Sequence, residues 1–169
     1  PFSFEAFKLL EGIGTTRFKI ASGEVTNIPL IKAIADEGYY LYISSGMSTW
    51  SELSRALEVC RKDQVSILQC SSIYPCPPEQ IGLNVIGEMQ HKFKVDVGFS
   101  DHSMGYAASL AAVTLGASCI EKHLTFSQKM YGSDASLAME PAEFATLTRE
   151  IRFLEKAIEN PITKGSSYD

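Results

Sequence analysis

Apolar positions gather in five short runs, each closing on small polar or reactive residues. They are Phe18-Lys19-Ile20-Ala21-Ser22, Tyr40-Leu41-Tyr42-Ile43-Ser44, Val65-Ser66-Ile67-Leu68-Gln69-Cys70, Val95-Asp96-Val97-Gly98-Phe99 and Ala117-Ser118-Cys119-Ile120-Glu121. Runs this short, rich in β-branched and aromatic residues, predict buried strands. Between them the apolar spacing lengthens to three and four. Residues 29–35 carry a proline near the start and Gly38 just past the end, which predicts a helix. Ser48 or Thr49 caps the next one, on which Leu53, Ala56, Leu57 and Cys60 share a face. Residues 84–93, 105–115 and 143–158 follow as helices, and residues 3–10 supply a first helix ahead of the first strand. The helix over 143–158 is amphipathic through Phe144, Leu147, Ile151, Leu154 and Ile158.

Regular β/α alternation implies an α/β fold, a parallel sheet with right-handed crossovers. No G-x-G-x-x-G follows a strand, which weighs against a dinucleotide-binding sheet. Polar residues gather instead after every strand, at the end where a (β/α)8 TIM barrel builds its active site. A full barrel takes about 250 residues. Five β/α units in 169 residues therefore read as a partial barrel lacking its first three strands.

Charge narrows the partners. Fifteen Lys+Arg against twenty Asp+Glu give a net charge of -5, unsuited to nucleic acid or an anionic membrane surface. No apolar run approaches the roughly 20 residues of a membrane span, and no export signal opens the chain. The start at Pro1-Phe2-Ser3, without Met, reads as that of a fragment or a processed product. Cys60, Cys70, Cys76 and Cys119 form no C-x-x-C pair and fit the free thiols of a cytoplasmic protein.

Chemistry-bearing residues cluster after the strands. His102 follows Gly98-Phe99-Ser100-Asp101, and His123 follows Cys119-Ile120-Glu121-Lys122. Parallel neighbours feed the same edge, so both imidazoles are candidates to converge there on a borderline divalent cation such as Mn2+, Zn2+ or Fe2+. Two unrelated histidines, one hydrogen-bonded in a loop and one packed, are the alternative. Lys19, Ser22 and Glu24 crowd the end of the first strand. A lysine inside an apolar strand needs an anionic partner: a substrate phosphate or carboxylate, or else Glu24 or Glu121. Ser71, Ser72 and Tyr74 precede a proline-stiffened turn. Asp134 lies in the loop after the last strand, where turn or cap roles are common for Asp, and Ser44-Ser45-Gly46-Met47 reads as a turn into a helix.

Six strings in order resemble the sialic acid synthase family, the phosphoenolpyruvate-dependent nonulosonate synthases. They are Lys19-Ile20-Ala21-Ser22-Gly23-Glu24, Ser44-Ser45-Gly46-Met47, Gln69-Cys70-Ser71-Ser72-Ile73-Tyr74-Pro75, Gly98-Phe99-Ser100-Asp101-His102, Glu121-Lys122-His123 and Gly132-Ser133-Asp134. The resemblance implies that residues 1–160 are the C-terminal two-thirds of the barrel, about strands 4 to 8. Residues 161–169 would begin a linker towards an antifreeze-like domain. It implies a transferase joining phosphoenolpyruvate to the open-chain aldehyde of an N-acyl-hexosamine such as N-acetylmannosamine, with release of phosphate. His102 and His123 match the ligands of a divalent metal, usually Mn2+, with Mg2+ or another ion as alternatives. Lys19, Ser22, Ser72 and Ser100 match positions that hold the phosphate and carboxylate of phosphoenolpyruvate. Glu24 resembles the acid/base carboxylate, and Tyr74 and Asp134 match contacts to the amino sugar. A cytoplasmic enzyme, homodimeric at full length, follows from the same resemblance.

Departures accompany the match. The family's Asn-His strand, its second strand with further Lys and Gln contacts, and an arginine lent by the antifreeze-like domain have no counterpart here. Ser72 stands where some members have Asn, and Ser133 where others have Pro. The aromatic run Tyr39-Tyr40-Leu41-Tyr42 replaces a Gly-Lys-Pro-like start. Two rivals compete with the synthase reading. One is another metal-dependent aldolase or hydrolase on the same barrel, with Lys122 the obvious Schiff-base candidate; the other is a non-catalytic truncated product.

Overall fold

Side-chain alternation sorts each strand onto two faces, and that sorting builds the fold. In the computed structural model, which describes residues 1–165, five strands form one parallel sheet in sequence order. They are β1 (Arg17–Ile20), β2 (Tyr40–Ser44), β3 (Val65–Cys70), β4 (Asp96–Asp101) and β5 (Ile120–Lys122). Phe18, Ile20, Leu41, Ile43, Val65, Ile67, Val97 and Phe99 point to one face and are at most 2% exposed. Helices α1 (Phe4–Gly12), α2 (Ile28–Asp36), α3 (Trp50–Glu58), α4 (Asn84–Phe93) and α5 (Ala107–Thr114) cover them. Phe7, Leu30, Ile31, Ile34, Leu53, Ala56, Ile86, Met89 and Ala112 join the strands in a single core. Each fully buried side chain of this size stabilises by roughly 1.5–3 kcal/mol. The long α6 (Pro141–Glu159) packs on α5 and buries Leu147.

The opposite face is mostly polar. By register it carries Lys19, Tyr42, Ser66, Cys70, Ser100 and Glu121, with Leu68 and Gly98 among them. In a flat sheet, four strand spacings would set β1 and β5 about 19 Å apart. Lys19 Nζ nevertheless reaches Glu121 Oε2 at 2.9 Å. The sheet is therefore curled into a trough, half of a barrel, with the polar face inside. Gly98 permits the curl, since a Cβ there would lie 2.5 Å from Leu68 Cδ2 and 2.8 Å from the Cys119 carbonyl.

Element by element, the expected order holds, with shifts at the ends. β1 stops at Ile20, and Ser22–Glu24 tighten into a 3-10 turn closed by the Glu24 N–H on the Ala21 carbonyl at 2.9 Å. Thr49, not Ser48, is the cap of α3, with Glu52 completing a capping box. Gly105 has φ +69°, outside helical space, so α5 begins at Ala107. The last strand was expected over 117–121. Ala117 instead donates to Ala112 to finish α5, and the ladder proper covers Ile120–Lys122. Part of the expected linker, residues 166–169, lies outside the described residues.

Candidate active site

β4 and β5 pair with Ser100 opposite Glu121 and Asp101 opposite Lys122. His102 and His123 therefore leave neighbouring strands at the same level. Their ring centroids are 5.3 Å apart at 81°. His102 Nδ1 lies 2.7 Å from the Ser71 carbonyl oxygen, which can only accept, so Nδ1 carries the proton and Nε2 presents a lone pair. His123 Nδ1 faces Asp134 Oδ2 at 3.6 Å, which favours the same polarity. The Tyr74 ring stacks on His102 at 4.0 Å and lies 5.6 Å from His123. Burial alone would lower the His102 pKa. The Cys70 thiol, the Ser71 carbonyl and the Glu121 charge outweigh it and hold the ring above its ordinary range.

Two imidazoles so presented fit a divalent cation that keeps open positions. Among the described residues no cluster of three His, Cys, Asp or Glu could hold an ion. The chain thus offers two nitrogen ligands, and water or substrate oxygens would complete the shell.

Deeper in the trough, Lys19 is held by both Glu121 oxygens, at 2.9 and 3.1 Å, and Ser100 Oγ donates to the same carboxylate at 3.4 Å. The ion pair that competed with a substrate anion in the sequence is present. Its two side chains are 33% and 39% exposed, which leaves the ammonium open to an anion arriving from solvent. Ser22 Oγ accepts from the Gly46 N–H at 3.2 Å and donates to Cys70 Sγ at 3.8 Å. A Cβ on Gly46 would lie 2.8 Å from Ser22 Oγ and closer still to Ser72 Oγ. Beside Gly46 a cavity of about 620 Å³ opens towards α3 and α4, lined by Ser45, Ser71 and Ser72 together with Trp50, Leu53 and Met89; Lys19, Ser22 and Ser100 do not line it. A second, of about 350 Å³, lies against His123, Tyr131, Gly132, Ser133 and Asp134.

The predicted residues fall into three groups. Tyr74, His102, His123 and Asp134 touch one another, as do Lys19 and Ser100 through Glu121. Ser22 and Ser72 crowd Gly46. Glu24 stands apart: its carboxylate accepts from Asn27 Nδ2 at 2.9 Å at the start of α2, and among the described residues no hydrogen bond ties it to the other groups. Three residues were given no substrate role by the sequence. Ser44 is 1% exposed and its hydroxyl has no hydrogen-bond partner among the described residues; alternation from Tyr42 puts it on the trough side with Lys19. The same alternation from His123 places Glu121 there. Gly46 gave no signal beyond a turn. Lys122 is removed from contention as a Schiff-base amine, because its side chain is 3% exposed and its ammonium is paired with Asp101 at 3.0 Å.

Comparison with known proteins finds a family and several relatives. The model of the NeuB family matches residues 1–163. The chain is 39% identical to the N,N'-diacetyllegionaminic acid synthase of Campylobacter jejuni subsp. jejuni serotype O:2, over all of its own length and 52% of that protein. It is 36% identical to the human N-acetylneuraminate-9-phosphate synthase, over 92% of its length and 44% of the relative's. It superposes with a TM-score of 0.91 on the N-acetylneuraminic acid synthetase of Leptospira borgpetersenii, solved with citrate, at 32% identity, covering 99% of this chain and 59% of the other. The chain spans about half the length of the curated relatives it matches.

Proposed function

The chain belongs to the NeuB family, and from that membership we propose that the protein condenses phosphoenolpyruvate with an N-acyl amino sugar and water, giving a nonulosonic acid and phosphate. The observation that carries this reading is the meeting of His102 and His123, 5.3 Å between centroids, beside a trough of hydroxyls centred on Lys19. A cation-binding pair next to an anion-binding pocket is what joining an aldehyde to an enol phosphate requires.

A divalent cation on His102 and His123, Mn2+ in this reading, would supply Lewis acidity towards the sugar's aldehyde oxygen. The protein's own groups do the rest. Lys19 exchanges part of its Glu121 contact for the substrate's phosphate or carboxylate. Ser22, Ser44, Ser72 and Ser100 donate to the remaining oxygens, whose charge makes these hydrogen bonds strong. Tyr74 and Asp134 orient the sugar so that its C1 faces C3 of phosphoenolpyruvate. The new bond joins these two carbons and leaves cationic character at C2. Water adds at C2, with Glu24 taking its proton and the former aldehyde oxygen gaining one; the tetrahedral hemiketal phosphate then collapses to the ketone, the C2–O bond breaking as the hydroxyl proton leaves with the phosphate. For that role Glu24 swings from Asn27 towards the trough.

We assign the five strands to positions 4 to 8 of an eight-stranded barrel, in a cytoplasmic homodimer at full length. The substrate is N-acetylmannosamine or a related N-acyl-hexosamine. β1 and β5 each pair on one side only, so residues 1–169 alone turn over little or not at all. Phosphate release from phosphoenolpyruvate, assayed in the full protein against a panel of N-acyl amino sugars, tests the reading. Release that needs both sugar and divalent metal is expected; release without sugar, or none with any member of the panel, would count against it.

A further inference from the structure

Resting on that reading of the metal site, we propose that the buried Asp101–Lys122 ion pair is a positioning device that sets the spacing of His102 and His123. Each member immediately precedes one of the histidines, and the two are register partners across β4 and β5. Alternation turns them to the helix side of the sheet while the imidazoles face the other way, so the clamp holds the ligand carriers without occupying their site.

The pair is built as a buried charge must be. Its side chains are 0% and 3% exposed. Asp101 Oδ1 accepts from the Ser103 N–H at 2.8 Å and the Ser103 hydroxyl at 2.6 Å; Oδ2 accepts from the Ser109 hydroxyl at 2.6 Å and from Lys122 Nζ at 3.0 Å. Lys122 also donates to the Ser103 carbonyl. Ser109 is itself fully buried on α5, among alanines and apolar neighbours, and its bond to Asp101 accounts for a hydroxyl in that place. Such a network fixes geometry more than it adds net stability, because desolvation offsets much of the attraction. β5 is three residues long and pairs with β4 alone, while just beyond it the His123 carbonyl accepts from the Met139 N–H at 2.9 Å beside the Leu124–Met139 bridge. The backbone thus ties His123 to Met139, and the ion pair supplies the tie to the β4 side. Lys122 pins that end both to the strand and to the loop carrying His102.

The test is Mn2+ binding by the full protein, followed by electron paramagnetic resonance, with His102→Ala and His123→Ala as controls. Lys122→Met and Asp101→Asn are each expected to weaken Mn2+ binding by about 10–100-fold, the usual effect of losing a group that orients a metal ligand. Electron-spin-echo modulation from imidazole nitrogen should fall from two rings to one, while circular dichroism stays native. Binding by both variants as tight as wild type, with two rings coupled, would overturn the clamp and leave the metal site standing. Unfolding of both variants would overturn it too, making the pair structural. Absence of Mn2+ binding in the wild type would sink the metal reading itself.

Discussion

The two ends of the trough are both polar, and they use their polar groups in opposite ways. At the N-terminal ends of the strands the groups satisfy one another. Arg17 donates to the Tyr42 hydroxyl at 2.9 Å and lies over the Tyr40 ring; the Tyr40 hydroxyl bonds Ser66 Oγ at 2.7 Å and Asp96 Oδ2 at 3.3 Å. At the C-terminal ends bonding capacity is left over. The Ser44 hydroxyl has no partner among the described residues, both imidazoles present Nε2, and Lys19 is held by a half-exposed carboxylate. A closed network stabilises; an open one takes a ligand. The difference also explains the aromatic run at 39–42, since Tyr40 and Tyr42 fill and cross-link the floor.

The largest effect should come from the open end. Lys19→Met should lower kcat/KM for phosphoenolpyruvate about 10^2–10^3-fold, as loss of a preorganised electrostatic contact does. The melting temperature should barely move, because a partly exposed ion pair contributes about 1 kcal/mol or less. Steady-state phosphate release beside a thermal melt checks both halves. Gly46→Ala should follow: its Cβ crowds Ser22 and Ser72, and overpacking of about 1–3 kcal/mol should appear as a raised KM for phosphoenolpyruvate.

At the closed end the pattern reverses. Tyr40→Phe leaves the buried Ser66 hydroxyl without its partner and should cost about 1 kcal/mol or more in chemical denaturation, with kcat/KM unchanged. The smallest effect is on pH. Metal binding needs neutral His102, and the ring's pKa is raised because the Cys70 thiol, the Ser71 carbonyl and Glu121 outweigh burial. Mn2+ affinity should therefore decline, as pH falls, from a point above the ordinary imidazole value; a decline beginning only below it would contradict the geometry of that ring.

Much of this division was legible in the sequence. Short apolar runs and three-four spacing find the five strands and six α-helices among the described residues, because core burial dominates both signals; the strand ends direct attention to His102, His123, Ser22 and Tyr74, and a lysine inside an apolar run to Lys19. The ends of elements were less legible, since the positive φ of Gly105 and the Ala117 N–H bond to the Ala112 carbonyl are backbone features that leave little pattern. What lies across the trough was not legible at all. Glu121 reaching Lys19 and Tyr40 reaching Asp96 depend on curl, which no local pattern encodes. Ser44 and Gly46 looked like a turn because an orphaned hydroxyl and a clash with an absent Cβ exist only in three dimensions.

One comparison of affinities tests the central claim most directly: titration of phosphoenolpyruvate into the full protein, followed by phosphorus NMR, for Ser44→Ala and Tyr40→Phe beside wild type. A hydrogen bond to a charged ligand contributes about 1.5–3 kcal/mol, so Ser44→Ala should weaken binding about tenfold or more, while Tyr40→Phe should bind as wild type does. Equal losses in the two variants, or a loss confined to Tyr40→Phe, would contradict the assignment of the open end as the site.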